Sequence, residues 1–120
     1  MKTDNIIQKK SFAFAINIVN TYKLLQIEKK EFILSRQLLR SGTSIGANIE
    51  ESIGGHSEKD FIFKLNIAYK EARETLYWLK LLHATGYLAV EQNEFLMNEA
   101  NEICRIIAKI LITYKSRNSQ

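Results

Sequence analysis

Apolar residues recur along this chain at intervals of three and four in four separate stretches, the spacing of one helix face. In the first, Ile7, Phe14, Ile18 and Leu25 form one row, and Phe12, Ala15, Val19 and Tyr22 form a second beside it. They predict a helix over about 5–27. Two adjacent rows make an apolar arc wider than a single seam needs, which implies burial on two sides. The second stretch, about 31–53, carries Leu34, Leu38, Gly42, Ile45 and Ile49 on one face. Its phase runs unbroken through Ser41-Gly42-Thr43-Ser44, so one continuous helix is expected, with a restart capped by Ser44 as the alternative.

Gly42 and Gly46 stand inside that helix, where each costs roughly 1 kcal/mol relative to alanine. Close approach of a neighbouring helix across the flattened face is the compensation to expect. Gly54-Gly55 is predicted to end the helix in the left-handed C-terminal conformation. Ser57 and Asp60 form a variant capping box for a third helix over about 57–85. Its row of Phe61, Leu65, Ala68, Ala72, Thr75, Leu79 and Leu82 is faultless, and Gly86 stops it. Ala68 and Ala72 keep its middle slim, a natural complement to the Gly42/Gly46 face. The fourth helix, about 90–114, places Leu96, Ala100, Ile103, Ile107, Ile110 and Tyr114 in one row. The tail from Ser116 to Gln120 is expected to fray. Short turns between consecutive long helices predict an all-α, antiparallel up-down-up-down four-helix bundle, one domain over residues 1–120.

The complete absence of proline fits long helices with short connections. Cys104 is the only cysteine, so no intrachain disulfide can form. Asp4 sits where a secretory signal wants positive charge, and no stretch is apolar for long enough to span a bilayer. A cytoplasmic protein without a membrane partner is expected. The net charge of +4 is unevenly spread. Residues 1–40 hold eight Lys/Arg against three Asp/Glu (+5), and residues 41–120 hold nine against ten (−1). Lys9, Lys10, Lys29, Lys30, Arg36 and Arg40 are therefore the candidate polyanion-binding residues, the alternative being a solvated helix face.

Catalytic chemistry finds little support. Di-metal bundles place Glu-x-x-His on two helices, but Ile53 and Lys80 precede His56 and His83 by three residues. Glu50, Glu51, Glu71 and Glu74 could meet between the second and third helices, where they read as surface acids or as partners for Arg40 and Arg73. His56 and His83 are expected to face solvent, and Cys104 to serve as a small hydrophobe. Gly42 to Gly46 lacks the Gly-Lys-Ser/Thr ending of a phosphate loop. No catalytic residue, metal site or cofactor is expected. Of Tyr77 and Trp78, at least one must point away from the core row and is an interface candidate.

The run Gln37-Leu-Leu-Arg-Ser-Gly-Thr-Ser-Ile-Gly-Ala-Asn-Ile-Glu-Glu51, with Ser57-x-x-Asp60-Phe61 and the segment from Lys64 to Leu79, resembles the bacterial 23S rRNA intervening-sequence proteins. These are similar in turn to the accessory variability protein of diversity-generating retroelements. The resemblance implies a four-helix protomer assembled into a ring, typically a homopentamer. The retroelement relative is a basic barrel that binds nucleic acid and a reverse transcriptase. Structured RNA or DNA, and a nucleic-acid-processing protein, are thus the partners it suggests beside self-association. Many relatives carry proline where this chain has Gly46. The function expected is non-catalytic, oligomeric RNA binding, with a protein-interaction scaffold that presents a ring of helical surfaces as the alternative.

Overall fold

A computed structural model describes residues 2–118, and the side chains of residues 6–117. It contains four helices: α1 (Lys2–Ile27), α2 (Leu34–Ile53), α3 (Glu58–Ala84) and α4 (Val90–Asn118). They form a rod of 52 × 22 × 21 Å in which α1 and α3 each pack against both α2 and α4. Every residue of the first apolar row of α1 is buried, as are Leu65, Ala68, Ala72, Thr75, Leu79 and Leu82 of α3. Leu96, Ala100, Ile103, Ile107 and Ile110 close the core from α4. Phe61 and Tyr114, the outermost members of their rows, meet in a tilted ring contact with centres 5.0 Å apart and cover one end.

Helix α2 is continuous through Ser41-Gly42-Thr43-Ser44, with no restart at Ser44. Its buried face is a row of small and branched residues: Ser35, Leu38, Ser41/Gly42, Ile45/Gly46, Ile49 and Ser52. The hydroxyls of Ser41 and Thr75 lie 3.0 Å apart between α2 and α3, so two buried polar side chains satisfy one another. The glycines face α1. A Cβ added at Gly42 would sit 2.8 Å from Cγ2 of Ile18, and one at Gly46 would sit 3.4 Å from the Ser11 carbonyl oxygen. The close helix approach is therefore made through Ile18 and Ser11, whereas Ala68 and Ala72 are buried in the core row of α3.

The two glycines are not equivalent. At Gly46 the added methyl meets only ordinary van der Waals contact, and alanine is favoured over glycine in a helix by about 1 kcal/mol. Gly46→Ala is expected to leave the thermal midpoint unchanged or raise it by a few degrees, as followed by helical circular dichroism.

Three local readings change. α2 begins three residues later than its periodicity suggests, because Glu31 is used to cap it. Gly54 does not turn left-handed: at φ −83° it continues a right-handed exit, its N–H donating to the Glu50 carbonyl at 3.2 Å and that of Gly55 to Ser52 at 3.3 Å. Positive φ occurs instead at Gly86 (+88°), which ends α3 as expected, and at Lys30 (+56°). Finally, α4 continues through Ser116 and Arg117 to Asn118, while Ser119 and Gln120 lie outside the described residues. Arg117 lies over the Tyr114 ring at 5.0 Å, a cation–π contact that holds this last turn. At the other helix start, Ser57 caps α3 by accepting from the Asp60 N–H at 3.1 Å.

Candidate functional site

The six basic residues singled out by charge do not form one continuous face. Lys9 and Lys29 are twenty positions apart along α1 and its exit, roughly 30 Å at the helical rise. Lys10 is held by Glu102 of α4 in an ion pair across the bundle. That hydrogen bond raises the lysine pKa and lowers that of the carboxylate. Arg40 crosses from α2 to α3, where it donates to Glu71 at 3.2 Å and also to Glu74. Trp78 Nε1 donates to the same Glu74 carboxylate at 2.9 Å. The indole and then Arg40 hold Glu74 below the usual carboxylate range.

Lys10 and Arg40 therefore join helices. Lys9, Lys29, Lys30 and Arg36 are exposed, and no ion pair engages them among the described residues. Three of the four stand at one end of the rod, on the α1–α2 connection and the first turn of α2. Their placement follows from Glu31. Its carboxylate turns inward and accepts from the backbone N–H groups of Ile33, Leu34 and Ser35 at 3.2, 3.1 and 2.7 Å. In return the Ser35 hydroxyl donates to the Glu31 carbonyl at 2.8 Å. The sequence Lys29-Lys30-Glu31 thus presents only its lysines outward.

The acids expected between α2 and α3 are used in pairs. Glu51 accepts from Lys64 at 2.7 Å, Glu50 accepts from Gln8 of α1 at 2.8 Å, and Glu71 and Glu74 share Arg40. Among the described residues, no three His, Cys, Asp or Glu side chains gather as a metal site would require. Cys104 is buried, and burial pushes its thiol pKa up, away from the reactive thiolate. His56 and His83 are exposed, with His83 Nδ1 2.9 Å from the Leu88 carbonyl. No helix of the described residues is long and apolar enough to cross a membrane.

Apolar surface is the second feature that the fold leaves uncovered. The second row of α1 is not enclosed: Phe12 is 66% exposed, and Ala15, Val19 and Tyr22 are half-buried. Phe12 and Ala15 line a groove of about 270 Å³ between α1 and α2, with Gly46 and Ala47 on its other wall. On α3, Tyr77 points outward and meets the half-buried Trp78 edge-on, ring centres 5.1 Å apart. Phe63, Phe95 and Ile112 add exposed apolar groups on α3 and α4. Sequence periodicity identified the α1 row and the aromatic pair. It missed the inward turn of Glu31, whose signal is a carboxylate placed just before a helix start with a serine four positions on.

Residues 3–109 match the family model described as 23S rRNA-intervening sequence protein. The crystal structure of a protein of unknown function from the S23 ribosomal protein family of Bacteroides thetaiotaomicron is 53% identical. It covers 91% of this chain and 97% of its own, with a TM-score of 0.90. Comparison with curated proteins finds no match.

Proposed function

The chain belongs to the 23S rRNA-intervening sequence protein family, and we propose that it is a non-catalytic, oligomeric RNA-binding protein of the cytoplasm. The observation that carries this reading is the set of outward cations Lys9, Lys29, Lys30 and Arg36, which no ion pair engages among the described residues, while Glu31, Glu71 and Glu74 are engaged within the fold. Phosphate backbones are the ligand such unspent charge suits. The exposed apolar groups on α1, α3 and α4 support self-association, since a lone bundle leaves them in water. A ring of five would give them partners.

Electrophoretic shift with a structured RNA tests the first part. Affinity is expected to fall at least tenfold between about 50 and 200 mM salt, as counterion release requires. Lys9→Glu, Lys29→Glu and Lys30→Glu together are expected to abolish the shift. Failure of the parent protein to bind at the lower salt would refute RNA binding. Light scattering tests the second part: five copies of the 13.9 kDa chain are expected, and a monomer at micromolar concentration rejects the ring.

The outward Tyr77 beside Trp78 favours a second reading, a scaffold that presents one protein-binding surface several times. Proteins recovered on the immobilised chain after nuclease treatment favour the scaffold, and their loss on nuclease treatment favours RNA.

A further inference from the structure

The end of the rod formed by the α1–α2 connection combines two properties. It is strongly cationic: Lys23, Lys29, Lys30 and Arg36 are exposed there. Ser41 lies level with Thr75 across the antiparallel pair, so Arg36, five residues one way, lies level with Lys80, five the other. Against these five cations stand Glu28, Glu91 and Glu31, the last turned inward, where three N–H groups hold its carboxylate. The same end is apolar. Ile27 is 68% exposed, Phe32 45% and Ile33 76%, all within seven residues of sequence.

Lys30 adds an independent observation. At φ +56° it holds a left-handed conformation that glycine or asparagine adopts more easily. A lysine at such a position sacrifices stability, and its charge is what glycine would lack. Strain of this kind collects where a side chain has work beyond folding.

Phosphate contact alone calls for charge, and a duplex shows a protein chiefly its backbone. Large apolar side chains among cations become useful when base faces are free to pack on them. We infer that this tip binds unpaired RNA, a loop or a single strand, with phosphates on Lys29, Lys30 and Arg36 and a base face on Phe32. The inference rests on the RNA-binding reading above and specifies where that binding occurs and to which form of RNA.

Fluorescence anisotropy with the whole chain tests it, using a labelled single strand of about 12 uridines or adenines and an RNA duplex of about 12 base pairs at one salt concentration. The single strand is expected to bind at least tenfold more tightly than the duplex. The triple change Lys29→Glu, Lys30→Glu and Arg36→Glu is expected to weaken it at least tenfold. Phe32→Ala is expected to cost about fivefold or more on the single strand and to leave the duplex unaffected, the size of a lost stacking contact. Lys30→Gly relieves the left-handed strain, so it is expected to fold at least as stably as the parent. It is nonetheless expected to bind more weakly, its salt slope reduced by about 0.7 for one phosphate contact on a single strand.

Equal affinity for duplex and single strand overturns the inference. So do tip variants that bind like the parent while Lys9→Glu does not, an outcome that leaves RNA binding standing and moves it elsewhere. Tip-dependent binding of poly-glutamate in place of RNA overturns it in favour of an acidic protein partner. A parent chain that binds neither RNA at about 50 mM salt removes the underlying reading as well.

Discussion

Replacing Gly42 with leucine is expected to destabilise the protein by roughly 3 kcal/mol or more, at the upper end of what overpacking costs. The first added carbon alone would lie 2.8 and 2.9 Å from two carbons of Ile18, closer than real side-chain contacts approach. Ile18 has no room to yield, because it is fully buried and its branched Cβ restricts it to few rotamers. The remaining three carbons would have to separate α1 from α2. Urea unfolding followed by Trp78 fluorescence measures the loss, at one protein concentration so that any assembly contributes equally.

The alanine variants refine the same prediction. Gly42→Ala gains about 1 kcal/mol of helix propensity but forces Ile18 aside, and the net is expected to be destabilising. Ile18→Ala frees that space at the cost of a cavity, so the double variant should lose less than the sum of the two single changes. A leucine variant that unfolds at the parent's urea midpoint would mean that α1 does not approach α2 at this glycine.

Much of this arrangement could be read from residue order. The α3 row from Phe61 to Leu82 keeps one phase over its length, and a helix with one apolar face has one way to bury it. The uncovered second row of α1 was visible for the same reason. Which neighbour a flat face meets is a different kind of fact. Gly42 and Gly46 announce close approach, but the spacing in α2 is the same whether Ile18 or Ala72 arrives there. Charge is harder still. Lys10 and Arg40 look like Lys9 and Arg36 until the fold brings up Glu102, ninety-two positions away, and Glu71 and Glu74, more than thirty away. The left-handed turn went to Lys30 and not to Gly54 because the chain must fold back there, the Glu31 N–H reaching the Leu25 carbonyl at 3.0 Å. A lysine carries no mark of that demand.

Glu31→Ala is expected to cost about 2 kcal/mol, since it removes the acceptor of three N–H groups at the start of α2 together with a negative charge at the positive end of that helix. The pH dependence identifies the charge. Burial by itself would raise the Glu31 pKa, but the backbone N–H donors of Ser35, Leu34 and Ile33 outweigh it and leave the value lowered. A carboxylate lowered on folding stabilises the protein fully above its unfolded value, about 4.3. That stabilisation is lost as pH falls through the folded value. Glu74 and Glu102 are lowered too, so the parent's acid sensitivity is shared among several groups. Comparison with Glu31→Gln, which keeps the shape and one acceptor but cannot ionise, isolates the share of Glu31. The stability difference between parent and glutamine variant is expected to be constant from about pH 6 to 8 and to shrink below about pH 4.3. A difference as large at pH 3 as at pH 7 would show that the cap acts through hydrogen bonding alone. The inward pull that takes Glu31 off the surface beside Lys29 and Lys30 would then owe nothing to the carboxylate's charge.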